Sequence, residues 1–183
     1  MRLSNDNVRW IPYEPQYHAG HVYRWFHSGD YEWFFGNIAP LTTSDASKIQ
    51  NAFVMVDANK PDDVMGITLM TDIRERHRNL QIHSLVDKKY QSKGLFYGAF
   101  IMFCNYILNS MNFYKIIITS AEKNIPAIGI LNKAGFTGEG EFKNEIYVDG
   151  EFHNVKRYAI TKGAFNKLHK AGLSAPLSEE VQK

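Results

Sequence analysis

The first half of the chain alternates between strand-like and helix-like runs of apolar residues. Strand-like runs lie at residues 8–12, 53–56, 64–73 and 80–86. The charged stretch 74–78 predicts a hairpin turn between the last two. Apolar residues at helical spacing predict a helix over residues 17–27, and Thr43 or Ser44 can cap another that runs to about residue 52. The pattern therefore predicts antiparallel strands with two helices after the first of them.

The next part of the chain predicts a crossover between parallel strands. Residues 95–111 are apolar on nearly all sides, which predicts a helix that other elements cover on several faces. Residues 115–119 contain three consecutive isoleucines, which is typical of a strand buried on both sides. Strand, helix and strand in this order imply a right-handed parallel connection. A helix over residues 125–133 is predicted to end at Gly135 in a left-handed cap.

A hairpin and a helical tail complete the predicted architecture. Asp149-Gly150 is a strong turn signal between strand-like runs at residues 140–148 and 151–161. We predict a mixed α/β fold: a mostly antiparallel twisted sheet of about seven strands, helices on both faces, and one parallel β-α-β crossover. The predicted domain spans residues 1–162, and residues 163–183 form a C-terminal helical tail.

Composition narrows the class of protein. The 183 residues are 44% hydrophobic and 22% charged, as in a globular domain, and the net charge of +2 does not favour a nucleic-acid partner. The single cysteine, Cys104, lies in an apolar helical run and is interpreted as a buried small hydrophobe. His18 and His21 have no evident third ligand, so no metal site is predicted. Without a signal core or an apolar span long enough for a membrane, we expect a cytoplasmic protein.

Two blocks of sequence indicate which ligand and which reaction the protein uses. Tyr90-Gln91-Ser92-Lys93-Gly94-Leu95 joins a strand to an apolar helix, where unpaired N–H groups and the helix dipole favour a phosphate or pyrophosphate. The second block begins at Asn124 and ends with Ala134-Gly135-Phe136. The order and separation of the two blocks indicate a coenzyme A-dependent acyltransferase.

These motifs resemble the GNAT superfamily of acyl-coenzyme A-dependent N-acyltransferases. Gln91 and Gly94 match the family's phosphate-binding pattern, whereas Phe96 stands where the pattern has Gly or Ala. The second block is similar to the one in which Asn124 would contact the pantetheine arm. The opening helix with Trp25 looks most like the branch that acetylates the N-termini of ribosomal proteins. The resemblance covers residues 8–161 and implies acetyl-CoA as co-substrate.

The resemblance also implies which residues hold the coenzyme. The backbone of Leu85 and Val86 would pair with pantetheine, and the N–H of Leu85 would lie near the thioester carbonyl, where negative charge develops. The N–H groups of residues 93–96 would hold the pyrophosphate. The complete predicted set is Leu85, Val86, Gln91, Ser92, Lys93, Gly94, Leu95, Phe96 and Asn124.

Amine attack on a thioester needs a base and a proton for the departing thiolate. His83, Glu122 and Tyr147 are the candidate catalytic residues; each has an alternative interpretation, as a packed histidine, a solvated acid and a packing tyrosine respectively. The family often places a Tyr on the second helix where this chain has Leu131. The N-terminal-acetylating branch tends to have a Ser where this chain has Ala127.

Substrate selection is assigned to an aromatic segment, with Trp33, Phe34 and Phe35 as candidate substrate-binding residues; the same segment could equally close the core. The leading hypothesis is an N-acetyltransferase that acts by direct transfer in a ternary complex. A protein N-terminus or lysine is the favoured acceptor, a small-molecule amine is next, and the protein is expected to be a monomer or homodimer. The alternative hypothesis is a GNAT-like module with weak or no catalysis that binds a protein partner.

Overall fold

Seven strands form one sheet in the computed structural model, which describes residues 3–28, 42–91 and 93–169. The strands are β1 (Val8–Pro12), β2 (Ala52–Asp57), β3 (Val64–Arg74), β4 (Asn79–Val86), β5 (Lys115–Ala121), β6 (Thr137–Val148) and β7 (Glu151–Thr161). The α-helices of the described residues are α1 (Pro15–Phe26), α2 (Thr43–Ser47), α3 (Leu95–Asn105), α4 (Ile125–Lys133) and α5 (Lys162–His169). A π-helical turn, Tyr106–Ser110, extends α3.

The strand order is β1-β2-β3-β4-β5-β7-β6. Only β4 and β5 pair in parallel, and α3 connects them; the other five neighbouring pairs are antiparallel. The predicted mixed sheet with one parallel crossover is therefore confirmed. Asp149 and Gly150 both have positive φ, of 53° and 83°, as a two-residue hairpin turn between β6 and β7 requires.

The two faces of the sheet carry separate apolar cores. On one face, which we call the α3 face, Leu80 and Ile82 of β4 pack with Phe103 of α3 in the larger core. On the opposite face, the α1 face, Leu85 packs with Trp25 of α1 in a smaller core. Side chains alternate along each strand, so residues with even numbers in β4 point to the α3 face and those with odd numbers to the α1 face.

The last described helix, α5, belongs to the larger core. Phe165 is fully buried there, and the side-chain amides of Asn166 and Asn109 exchange two hydrogen bonds of 2.9 and 3.1 Å. Cys104 is also fully buried, and burial raises the pKa of its thiol, which agrees with its interpretation as a small hydrophobe. Among the described helices, none is long and apolar enough to cross a membrane.

Strands β4 and β5 separate soon after they meet. Their parallel pairing covers three residue pairs, from Asn79↔Lys115 to Gln81↔Ile117. Beyond Gln81, β4 continues to Val86 beside β3, and β5 continues to Ala121 beside β7. The facing edges of β4 and β5 are therefore open toward their carboxyl ends. This opening between β4 and β5 is where the candidate active site lies.

Candidate active site

A cleft of about 510 Å³ occupies the opening between β4 and β5. Its walls come from the end of β4, the first turns of α3, the end of β5 and one side of α4. The lining residues are Ile82, His83, Ser84, Val86, Tyr90, Gln91, Gly94, Phe96, Tyr97, Phe100, Ile118, Thr119, Ser120, Asn124, Pro126, Ala127, Ile130 and Leu131. Most of this surface is apolar, and a few polar groups interrupt it. Such a lining suits a long, flexible ligand with a polar reacting end.

An anion-binding turn lies at the phosphate end of the cleft. Gly94 is the N-cap of α3 with φ +73°, so the unpaired N–H groups of the first helical turn belong to Leu95, Phe96 and Tyr97. A Cβ atom built at Gly94 meets no atom within 4 Å, which leaves the approach open. The helix begins at Leu95, as predicted, and the N–H groups of its first turn overlap the predicted set of residues 93–96 at Leu95 and Phe96.

Phe96, the departure from the family's phosphate pattern, packs into the wall of the cleft. Its ring centroid lies 5.6 Å from that of Phe100, and Phe100 in turn packs at 5.8 Å on Phe136. The bulky side chain of Phe96 therefore packs in a row of aromatic rings on the α3 face. Its backbone N–H remains one of the free donors of the helix start.

Hydrogen bonds fix the turn that precedes α3. The Asp87 carboxylate accepts one from the Trp25 indole N–H at 2.8 Å and another from the Lys89 backbone N–H at 2.9 Å. The Tyr90 hydroxyl donates to Asp63 and lowers the pKa of that carboxyl. Lys89 forms an ion pair with Asp63 at 3.4 Å. Tyr90 thereby ties the turn to the loop between β2 and β3.

The predicted lysine of this turn, Lys93, places its Nζ 5.2 Å from the centre of the Tyr90 ring. Tyr90 and Gly94 both line the cleft, so this cation lies beside the anion-binding turn. Its neighbour Ser92, also predicted to bind the coenzyme, lies outside the described residues.

The free edge of β4 presents backbone groups that differ from those predicted. The N–H of Asp87 donates to the Met65 carbonyl of β3 at 2.8 Å, and along an antiparallel strand such groups alternate in direction. Leu85, which pairs with Ile67, therefore directs its N–H toward β3. By this alternation we expect the N–H groups of Ser84 and Val86, rather than that of Leu85, to face the cleft. The Gln91 amide already donates to the Val86 carbonyl at 2.9 Å.

Asn124 is held at the N-cap of α4 with its amide available to the cleft. Its Oδ1 accepts from the Ala127 backbone N–H at 3.3 Å, and the side chain lines the cleft at 8% exposure. Since the oxygen is committed to the helix cap, the amide nitrogen is the group left to donate to a ligand. This position agrees with the predicted contact to a pantetheine arm, which remains a prediction.

His83 lies on the α1 face within a polar network. Its Nε2 is 3.1 Å from Thr71 Oγ1 and 3.2 Å from Gln81 Nε2, and Gln81 donates to Thr119 Oγ1 at 2.9 Å. The side chain is 9% exposed and lines the cleft. Burial lowers the pKa of His83 to about 4, because the charged form loses its hydration. At neutral pH the imidazole is uncharged.

The low pKa of His83 predicts a pH-dependent stability. The unfolded chain takes up a proton below its ordinary pKa of 6.5, whereas the folded chain does so only near pH 4. The free energy of unfolding should therefore fall as the pH drops from 6.5 to 4, by on the order of 3 kcal/mol in total. Urea unfolding of wild type and His83→Gln at pH 7 and pH 5 measures this. A stability difference that does not change with pH would contradict it.

The other two candidate catalytic residues lie at different distances from the cleft. Glu122 follows β5 at the rim, and its carboxylate accepts a hydrogen bond of 3.3 Å from Asn154, whose amide also donates to Glu141 at 2.9 Å. Tyr147 is 64% exposed and packs on Phe152 near the β6–β7 turn. It is not among the cleft-lining residues, so the structure does not bring it to the reacting atoms as predicted. The substrate-binding candidates Trp33, Phe34 and Phe35 lie outside the described residues.

Comparison with models of protein families identifies the family of this chain. Residues 2–137 match the model of the acetyltransferase (GNAT) domain, which is most of the chain. The chain belongs to the GNAT acetyltransferase family. The match ends at the first residue of β6, so the β6–β7 hairpin of this GNAT protein lies beyond it.

Similar proteins of known name include polyamine and ribosomal enzymes. The GNAT chain is 30% identical over 105 residues to the spermidine N(1)-acetyltransferase of Escherichia coli K12, a segment of 57% of this chain and 56% of that relative. It is 22% identical over 97 residues, or 53% of each chain, to a putative ribosomal N-acetyltransferase of Bacillus subtilis. The matched segments thus span about half the length of these relatives.

A solved structure shows the same fold over more of the chain. The spermidine N-acetyltransferase of Vibrio cholerae, crystallised with CoA and spermine, superposes with a TM-score of 0.80 at 19% identity. The alignment covers 88% of the GNAT chain and 99% of that protein. At this level of identity the likeness supports the fold alone.

Several residues in or beside the cleft of the GNAT chain were not found from the sequence. Thr71, Gln81 and Thr119 join His83 only because three strands place them side by side on the α1 face. Strand alternation could have paired Gln81 with His83, but the partners on β3 and β5 depend on register. Ser84 and Ser120 also line the cleft, and no local motif marks either of them.

Proposed function

We propose that this protein is an acetyl-CoA-dependent N-acetyltransferase that transfers the acetyl group to a primary amine by direct attack in a ternary complex. The observation that carries the proposal is the cleft between the separated ends of β4 and β5, which has an anion-binding helix start at one end. Family membership is consistent with this activity. Cys104, the single cysteine of the chain, is fully buried and is therefore not available as a covalent nucleophile.

The chain's own groups fit two parts of a coenzyme A molecule, the pyrophosphate and the pantetheine arm. The N–H groups of Leu95 to Tyr97, with Lys93 nearby, would hold the pyrophosphate. The cleft-facing backbone of Ser84 and Val86 and the amide of Asn124 would hold the pantetheine arm, while the apolar walls exclude water. When bound, the coenzyme supplies an acetyl group activated as a thioester.

The acceptor that best fits is a small aliphatic amine. The spermidine acetyltransferases among the similar proteins favour a polyamine over the protein N-terminus or lysine expected from the sequence. Glu122 follows the end of β5 and would attract a cationic amine, whereas Glu141 beside it already forms an ion pair with Lys143 at 2.7 Å. The putative ribosomal relative keeps a peptide N-terminus as the second candidate acceptor.

His83 is the proposed proton acceptor. It lines the cleft on the α1 face, and its low pKa leaves the imidazole uncharged at neutral pH and able to take a proton from the attacking nitrogen. Thr71 and Gln81 fix the ring. The backbone N–H of Ser84 or Val86 would stabilise negative charge on the thioester oxygen.

The test of this function is calorimetric titration with acetyl-CoA followed by a thiol-release assay. Spermidine, spermine, a short peptide with a free N-terminus and an N-terminally blocked lysine peptide serve as acceptors. Micromolar binding with thiol release on spermidine is the expected result. Binding of acetyl-CoA without thiol release on any acceptor would favour a module that binds a protein partner. Thiol release with the peptides alone would indicate that the acceptor is a protein.

Asn124 provides a prediction about coenzyme affinity. Asn124→Ala removes the amide donor and should raise the Kd for acetyl-CoA about tenfold, equivalent to one hydrogen bond of roughly 1.4 kcal/mol. It also removes the cap of α4, so Asn124→Ser, which keeps an N-cap but is too short to reach the ligand, is the control. Calorimetry should show weaker binding for both variants. Wild-type affinity in the Ser variant would remove Asn124 from the coenzyme site.

A further inference from the structure

Among the residues of α4 that line the cleft, no side chain can give a proton to the departing thiolate. The family's usual tyrosine is replaced by Leu131, which is 4% exposed and lines the cleft together with Ile130 and Ala127. A thiolate released against this apolar wall would be left without a hydrogen bond. On the proposed function, another group of the cleft must therefore supply this proton.

Ser120 lies opposite that wall. It belongs to the free end of β5, points to the α3 face as do Ile116 and Ile118, and lines the cleft at 6% exposure. Within the described residues its hydroxyl has one hydrogen-bond contact, with the Ala121 carbonyl at a long 3.5 Å. A buried hydroxyl with so weak a partner is available to a ligand in the cleft.

The other serine of the cleft is already committed. Ser84 lies across the opening on β4, and its Oγ is 2.7 Å from Thr68 Oγ1 on β3. Thr68 is 1% exposed, so this bond is shielded from water. Of the two hydroxyls, Ser120 is therefore the one that can turn toward a sulfur atom without breaking a short hydrogen bond.

The two faces of the sheet would then divide the proton transfers. His83 points to the α1 face, where the acceptor amine would approach, and Ser120 points to the α3 face, where α4 and Leu131 lie. A base and a donor on opposite sides of the opening match a reaction in which the amine enters on one side and the thiol leaves on the other.

We propose that the Ser120 hydroxyl is the proton donor to the departing thiolate of coenzyme A. A bond forms between the amine nitrogen and the thioester carbon, and the carbon–sulfur bond breaks with its electron pair passing to sulfur. His83 takes one proton from the nitrogen, and Ser120 gives one to the sulfur. The Ser120 oxygen takes a proton from solvent as it gives its own to the sulfur, so that no alkoxide forms, and His83 releases its proton to solvent; both residues end unchanged and the products are an amide and a free thiol.

The test compares Ser120→Ala, Ser120→Thr and Ser120→Ala/Leu131→Tyr with wild type, using acetyl-CoA and spermidine or whichever acceptor the screen identifies. Ser120→Ala should lower kcat about 10²-fold, as loss of a general acid does, with the Kd for acetyl-CoA within twofold of wild type. Ser120→Thr keeps a hydroxyl and should retain most of kcat. The tyrosine in the double variant restores a donor from α4 and should recover at least tenfold in kcat.

Recovery of kcat in the Ser120→Ala/Leu131→Tyr variant separates a chemical role of Ser120 from a structural one. Thr68→Val removes another buried hydroxyl that does not line the cleft, and it should lower the melting temperature without a comparable loss of kcat. Unchanged kcat in Ser120→Ala overturns the proposal, as does a loss that tracks a raised Kd and is not recovered by the tyrosine. A wild-type protein that binds acetyl-CoA but acetylates no amine overturns the proposed function and this donor together.

Discussion

Replacing His83 by glutamine is expected to lower kcat about 10³-fold while the Kd for acetyl-CoA stays unchanged. The size follows from losing a general base, which typically contributes 10² to 10⁴ in rate. Glutamine can still hydrogen-bond to Thr71 and Gln81, so the network around the position is largely kept, but it cannot accept a proton at any working pH. Thiol release under saturating acetyl-CoA measures kcat, and calorimetry measures the affinity.

The pH profile gives the same prediction a second readout. Because the pKa of His83 is about 4, the histidine is already deprotonated throughout the neutral range, and its acid limb should appear only near that value. A fall in rate between pH 8 and pH 6 would therefore report protonation of the acceptor amine. Thr71→Val, which loosens the ring but keeps the imidazole, is the control and should lose less than tenfold. Full activity in the glutamine variant would make His83 a packing residue.

Replacing Gly66 by alanine is expected to damage both the stability and the coenzyme site. A Cβ at Gly66 would lie 2.4 Å from the Leu85 carbonyl oxygen and 3.2 Å from the Val86 Cα. These are backbone atoms, so β4 must move rather than a flexible side chain. Overpacking of this kind costs about 1–3 kcal/mol. The displaced segment includes the N–H of Val86, which we expect to face the cleft. The Kd for acetyl-CoA should therefore also rise about tenfold, which corresponds to the loss of one hydrogen bond.

Gly138→Ala is the matched control for this substitution. Gly138 also lies in a strand, but a Cβ there meets no atom within 4 Å, and the residue does not line the cleft. It should change the free energy of unfolding by less than about 0.5 kcal/mol. Chemical denaturation and calorimetry of both variants provide the comparison. Equal stability and equal affinity in the two variants would show that β4 tolerates the extra methyl group.

The sequence marks two of the predicted coenzyme-binding residues by local motifs, and the structure places both beside the cleft. Gly94 and Asn124 are both helix N-caps, and an N-cap exposes donors wherever it occurs. The direction of the Leu85 N–H was not foreseen, since it depends on the pairing of β4 with β3. A shift of one residue in that register exchanges the groups that face the cleft.

The candidate catalytic residues depend more on tertiary structure than the predicted coenzyme-binding residues do. His83 was singled out by its titration range, but its pKa near 4 arises from burial that only the assembled sheet provides. Tyr147 was chosen for its hydroxyl, and the hairpin carries it away from the cleft toward Phe152. Ser120 has no local signal at all, because its proposed role depends on the separation of β4 from β5 and on Leu131, which also lines the cleft.

The sequence by itself determined the elements and their connection. Periodicity, turn residues and caps are local, so the hairpin at Asp149-Gly150 and the helix Ile125–Lys133 could be placed to the residue, and the order strand, helix, strand required a parallel crossover. The tertiary structure alone decided where β4 and β5 part and which side chains meet there. Those facts depend on register and burial between segments far apart in the chain, about which a local pattern of polar and apolar residues carries no information.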